Sequence, residues 1–147
     1  MEQIKIERVI QADQKMHTRV KDLLADLYPN HKSFSFERFA EVVENGQVRI
    51  FVAKLGEEIV GTGSLAFYRK LCGDIWIVED VDVDTNKRGY GIGRKLIEVM
   101  LEEAKKHGAE VVDLTTRSGD ARKFYMEKCG FKDKAEGRPF WGLRYTF

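Results

Sequence analysis

Residues 75–94, IWIVEDVDVDTNKRGYGIGR, pass from an apolar run through alternating acids into a glycine-dense turn. The first part predicts a strand at about 74–84. Beyond the turn, Leu96, Met100 and Ala104 recur at every fourth position from Ile92, with Ile97 and Leu101 beside them and Gly108 as a stop signal, which predicts a helix. Alternating Gly89, Gly91 and Gly93 let the backbone approach a ligand closely. The first N–H groups of the following helix have no intrahelical partner, and the helix dipole adds a positive end. This strand–turn–helix unit predicts a phosphate site, and Arg88 and Arg94 flank it with charge suited to a pyrophosphate.

Outward from this unit, the alternation of helical and strand patterns predicts a mixed α/β fold. Residues 3–10 read as a strand. Residues 13–28 carry Met16, Val20, Leu23, Leu24 and Leu27 at helical spacing, ended by Pro29 and Asn30. A short helix follows from Ser35 to about Gly46. Residues 48–54 and 59–69 predict an antiparallel hairpin around Gly56. After the long helix come a strand at about 110–116, a helix from Asp120 to Lys128 stopped by Gly130, and two short strands reaching Phe147. The expected architecture is a mostly antiparallel central sheet of about six to seven strands flanked by helices.

The 147 residues fit one domain spanning 1–147, and 43% hydrophobic residues with nine Phe suffice for its core. A net charge of +1 predicts no nucleic acid or membrane partner. MEQIKIERVI lacks a signal-peptide pattern, and no apolar run reaches the length of a membrane span, so the expected location is cytoplasmic. Cys72 and Cys129 lie far apart without clustered histidines, which predicts neither a disulfide framework nor a metal site.

Two familiar phosphate motifs fail on these residues. A P-loop ends in Gly-Lys followed by Ser or Thr, whereas the chain has Gly93-Arg94-Lys95. The dinucleotide fingerprint misses by one position in its glycine spacing. The acids Glu79, Asp80, Asp82 and Asp84 are also foreign to the apolar central strand it requires. What remains, Arg88-x-x-Gly91-x-Gly93, resembles the acyl-CoA pyrophosphate loop of the GNAT N-acetyltransferases. Ala121-x-x-Phe124-Tyr125-x-x-x-Cys129-Gly130-Phe131 resembles their C-terminal segment. The chain departs at Ser118, where many members of that family carry an asparagine that helps to hold the CoA arm.

The resemblance implies the acyl-CoA N-acyltransferase fold, with acetyl-CoA as cosubstrate and a primary amine attacking it directly in a ternary complex. A cofactor site follows from it at Val81, Val83, Arg88, Gly89, Tyr90, Gly91, Ile92, Gly93, Arg94, Ser118 and Phe124. An alkylamine with a pKa of about 10.4 needs a base before it can attack. Glu79 and Asp80 occupy the positions that serve as base in the family; strand alternation does not choose between them, because this strand is bulged in the family. Tyr125 matches the tyrosine whose hydroxyl lies near the thioester sulfur, and the Val81 N–H is the expected oxyanion donor.

Nothing beside Cys129 would lower its pKa, so no acyl-cysteine route is expected. His17 and His107 read as structural or surface residues. Tyr28, His31 and Phe34 lie in a region that covers the acceptor site in similar enzymes, and Phe140 and Trp141 line the cleft or belong to the core. The acids at Asp74, Glu79, Asp80 and Asp82 favour a cationic acceptor, a small amine or a peptide or protein amine. Glu-Asp-Val-x-Val-Asp at residues 79–84 also resembles the glucosamine-phosphate acetyltransferases, which keeps an amino-sugar phosphate open. From other classes, a non-catalytic acyl-CoA sensor would retain the phosphate loop without the candidate base and acid. A nucleotide-binding module would prefer NAD or ATP to CoA. Exposed C-terminal strands commonly pair across dimers in this fold, so a homodimer is a further expectation.

Overall fold

Two helices with side-chain caps close one face of a twisted sheet, and a third, uncapped helix closes the other. The computed structural model describes residues 2–28 and 33–147, so the expectations at Pro29, Asn30 and His31 lie outside the described residues. The chain divides into a unit spanning Met1–Thr115 and a unit spanning Thr116–Phe147. The first holds β1 (Ile4–Arg8), α1 (Gln14–Ala25), α2 (Phe36–Asn45), β2 (Val48–Leu55), β3 (Glu58–Lys70), β4 (Gly73–Val83), a 3-10 turn at Thr85–Lys87, α3 (Ile92–Lys106) and β5 (Asp113–Leu114). The second holds α4 (Gly119–Cys129).

The strands run in the order β1-β2-β3-β4-β5, antiparallel until the last pair, which is parallel. Asp13 caps α1 by accepting the Met16 N–H at 2.8 Å, and Ser35 caps α2 through the Arg38 N–H at 3.1 Å. Gly46 ends α2 at φ 75°, a conformation that costs glycine little. Val20 and Leu23 of α1 and Phe39 of α2 cluster with Ile50, Val52 and Ile59 of the sheet. Side chains alternate across a strand, so Phe51 and Ala53 face the other way, as do their register partners Gly63 and Gly61. There α3 lies close against the sheet. A Cβ at Gly63 would come within 2.8 Å of Met100 Cε, and one at Gly61 within 3.2 Å of Ile92 and Leu96. Leu96, Ile97 and Met100 are buried, each such side chain contributing about 1.5–3 kcal/mol.

The sheet has five strands, not six to seven. The strand expected at 110–116 is reduced to Asp113–Leu114, and the two short strands expected before Phe147 do not form among the described residues. A strand persists only where its N–H and C=O groups meet a neighbouring edge. Residues 131–147 have no such ladder and are interrupted by Gly137, Pro139 and Gly142. Trp141, Leu143, Tyr145 and Phe147 alternate there, all of them exposed. Phe140 is exposed as well, under the Lys134 ammonium at 4.4 Å, so the core role open to Phe140 and Trp141 is not observed.

Candidate active site

The acids of β4 owe their arrangement to a bulge. Ser64 pairs with Glu79 and Thr62 with Asp82, so Asp80 and Val81 together face Gly63. Asp80 has φ 50°, the one non-glycine residue with positive φ among those described, in a region where aspartate is tolerated better than most side chains. Trp76 and Val78 are buried, with Trp76 beside His107 at the end of α3. Val81 returns to that side, its Cγ2 standing with Met100 around Gly63. The two residues between, Glu79 and Asp80, therefore share the α1 side of the sheet, which simple alternation would have separated.

Their surroundings agree. The Tyr28 hydroxyl, three residues past α1, donates to Asp80 Oδ1 at 2.5 Å. That bond, with partial burial and the charges of Asp80 and Glu79, pushes the Tyr28 pKa up to about 12, so Tyr28 stays a donor at neutral pH. Partial desolvation and then the charge of Asp80 raise Glu79 above the ordinary carboxylate value. On its outer edge β4 pairs with β5 only at Ile77 and Val78, so from Glu79 onward that edge has no strand partner among the described residues.

Two arginine–carboxylate pairs tie the turn that follows. Asp82, only 7% exposed, accepts the Val83 N–H at 2.9 Å and the Arg88 guanidinium at 3.1 Å through Oδ1, while Arg88 Nε donates to the Val83 carbonyl. Arg19 of α1 pairs with Asp84 and donates through Nε to the Ile59 carbonyl at 2.7 Å. Asp84 also caps the 3-10 turn through the Asn86 N–H. Gly89 and Gly91 then adopt φ 87° and 79°. A Cβ at either would meet no described residue within 4 Å, so the space beside this backbone is open among the described residues. Whereas α1, α2 and α4 each have a side-chain cap, α3 has none. Its first helical bond runs from the Lys95 N–H to the Gly91 carbonyl, so the Ile92, Gly93 and Arg94 N–H groups precede that ladder. Ile92 is buried and anchors the helix start, Tyr90 is exposed, and Arg94 pairs with Glu98 at 2.9 Å. Open space, free amides and a helix N-terminus fit a pyrophosphate. Both flanking arginines also serve carboxylates of this chain.

In the second unit, Ser118 caps α4 by accepting the Ala121 N–H at 3.2 Å, which gives this residue a local role at the position where it departs from the family pattern. Tyr125 stacks with Phe124 at 5.3 Å and Phe131 at 5.9 Å. Gly130 at φ 80° turns the chain so that the Phe131 N–H reaches the Tyr125 carbonyl.

Other candidates have partners within the fold. His17 is buried with Nε2 at 2.9 Å from the Phe34 carbonyl, and Phe34 packs against the core cluster. His107 Nδ1 lies 2.9 Å from the Glu103 carbonyl at the end of α3. No group of metal-ligating side chains occurs among the described residues. Sequence reading did not find the pairings Tyr28–Asp80 and Arg19–Asp84, which join residues 52 and 65 positions apart and leave no local pattern.

Comparison with known proteins identifies the family of the chain. The model of the acetyltransferase (GNAT) family matches residues 17–131. Glucosamine 6-phosphate N-acetyltransferase of Arabidopsis thaliana is 32% identical over 104 residues, covering 67% of this chain and 68% of that protein. The crystal structure of the Arabidopsis thaliana glucosamine-6-phosphate N-acetyltransferase superposes with a TM-score of 0.76 at 28% identity, covering 98% of this chain and 99% of that one. In fold alone, an aminoglycoside acetyltransferase from an uncultured soil metagenomic sample, crystallised with sisomicin, is similar at a TM-score of 0.80 and 22% identity, covering 96% and 97% of the two chains. The chain belongs to the GNAT family and is an acetyl-CoA-dependent N-acetyltransferase.

Proposed function

We propose that the chain acetylates a primary amine by direct attack within a ternary complex, with residues 1–147 as one catalytic domain. The observation that carries this reading is the bulged end of β4, which gathers Glu79 and Asp80 on one side and leads directly into the open, uncapped turn at Gly89–Gly91. The amides of Gly89–Arg94 hold the acetyl-CoA pyrophosphate, with the Arg88 and Arg94 guanidiniums adding charge. The unpartnered edge of β4 offers main-chain groups at Val81 and Val83 to the acyl arm, and Ser118 and Phe124 complete the cofactor contacts. Glu79 takes the proton of the acceptor ammonium, and the amine lone pair attacks the thioester carbonyl carbon. The oxyanion meets the Val81 N–H, the C–S bond breaks, the CoA thiolate takes the Tyr125 proton, and the nitrogen gives up its second proton, which restores the Tyr125 hydroxyl by way of solvent. Asp80, held by Tyr28, contributes charge beside Glu79.

The acceptor has two readings. One is a small amine or a peptide or protein amine. The other is an amino-sugar phosphate, favoured by the 32% identical plant relative. Turnover of acetyl-CoA with glucosamine 6-phosphate, spermidine and a lysine peptide separates them. Tyr125→Phe should lower kcat about a hundredfold, the lower end for a general acid, because a thiolate leaves readily. Binding of CoA without turnover of any amine would make the chain an acyl-CoA sensor and overturn the catalytic roles. The exposed alternation from Trp141 to Phe147 is what a strand awaiting a partner edge looks like, which supports a homodimer.

A further inference from the structure

The glycine turn before α3 is braced from a distant helix. Glycine populates either sign of φ, so Gly89 and Gly91 do not fix their own backbone, and on the open side no described residue stands within 4 Å of where a Cβ would be. Downstream, the buried Ile92 anchors the turn. Upstream, the anchor is Asp84. Its N–H donates to the Val60 carbonyl at 2.8 Å, its carbonyl accepts the Lys87 N–H at 2.8 Å, and Oδ1 accepts the Asn86 N–H at 2.9 Å. The remaining oxygen, Oδ2, accepts from Arg19 Nη2, while Arg19 Nε donates to the Ile59 carbonyl at 2.7 Å. One planar guanidinium therefore spans the start of β3 and the residue from which the turn departs. Arg19 precedes Val20, which is packed with Leu23 in the core cluster, so the guanidinium projects from a helix that is itself held. Arg88, by contrast, bonds to Asp82 and Val83 within its own segment.

Ordering a loop as its ligand arrives opposes binding, and a contact that holds the loop beforehand removes part of that cost. We infer that Arg19 is a positioning residue for the acetyl-CoA pyrophosphate. It acts through Asp84, fixing the 3-10 turn at Thr85–Lys87 and with it the placing of the Gly89–Arg94 amides, rather than through contact with the phosphates. This rests on the proposed assignment of the glycine turn to acetyl-CoA, and it gives α1 a part in donor binding although the helix lies 65 positions away in sequence at this contact.

Calorimetric titration of CoA into the full chain and its variants, below the melting transition of each, tests this. Arg19→Met should weaken CoA about tenfold, the low end for losing a hydrogen bond to a charged group. Asp84→Asn keeps an oxygen for the Asn86 N–H, and so should fold, but turns an amide donor toward the guanidinium; it should weaken CoA as well. The double variant should bind no more weakly than the worse single one, because both act through one contact. A pure field effect predicts the opposite sign for Asp84→Asn, since removing a negative charge beside the turn tightens an anion. With an amine that the chain turns over, Arg19→Met should raise KM for acetyl-CoA and spare kcat. Its kcat/KM for S-acetylpantetheine, which ends before the pyrophosphate, should match wild type, whereas general damage to the fold would lower kcat/KM for both donors. CoA binding unchanged in Arg19→Met, tighter binding in Asp84→Asn, or additive losses in the double variant would each overturn the inference and leave the acetyltransferase reading standing. Failure of the wild-type chain to bind CoA would overturn both.

Discussion

Replacing Gly91 with alanine separates the conformational role of this glycine from a ligand role, because Gly46 provides a matched control. Gly91 caps the start of α3 at φ 79°, and Gly46 ends α2 at φ 75°. A Cβ at either position meets nothing within 4 Å, so packing adds nothing and each substitution costs the left-handed strain alone, about 1–2 kcal/mol. For a chain of this length 1 kcal/mol shifts Tm by roughly 2–4 °C, so each variant should melt about 2–8 °C lower without ligand. CoA at a hundred times its dissociation constant should raise the wild-type Tm by about 5–10 °C, from about 2.7 kcal/mol of linkage. Gly46→Ala should keep that rise. Gly91→Ala should lose most of it, because the methyl enters the space assigned to the pyrophosphate and the first-turn amides shift. Thermal unfolding followed by circular dichroism, with and without CoA, reads both numbers. Equal retention of the rise in the two variants would refute the assignment of this turn to the cofactor.

Other expectations concern titration. The Glu79 pKa is raised in the fold, so its ionisation opposes folding: stability falls as pH rises from the ordinary value of 4.5 through the raised one. Glu79→Gln should therefore melt higher than wild type at pH 7 and equally below 4.5, while kcat/KM falls about a hundredfold or more; a lower Tm at pH 7 would contradict the burial argument. The wild-type rate should climb with pH through the raised Glu79 pKa. Asp84 has its pKa lowered, first by the Arg19 hydrogen bond, so its contribution is present above the ordinary 3.8 and is lost as pH falls through the lowered value. Arg19→Met should lower Tm by roughly 2–4 °C at pH 7, for about 1 kcal/mol, with the difference closing in acid; a pH-independent difference would show that the loss is one of packing.

Local patterns made the helices legible. The every-fourth apolar series from Ile92 and the Gly108 stop correspond to α3 at Ile92–Lys106, and Ser35 and Gly46 bound α2 as expected. The hairpin between β2 and β3 is likewise where its turn placed it. The C-terminal strands failed because strand formation depends on an edge elsewhere, and residues 131–147 pair with none among the described residues. The choice between Glu79 and Asp80 stayed open for a related reason: the bulge arises from register against Gly63, a residue on another strand.

By itself the sequence determined the family and the chemical type of the turn, because glycine spacing, the following helix and the Phe124-Tyr125 segment are encoded within a few residues of one another. Tertiary structure alone decided that Glu79 and Asp80 share a side, that Tyr28 holds Asp80, that Arg88 and Arg19 serve Asp82 and Asp84, and that Asp82 Oδ2 is buried without a hydrogen-bond partner among the described residues. Those facts are sums over segments distant in the chain, and the electrostatics of a carboxylate depend on every group brought near it, which no local pattern contains.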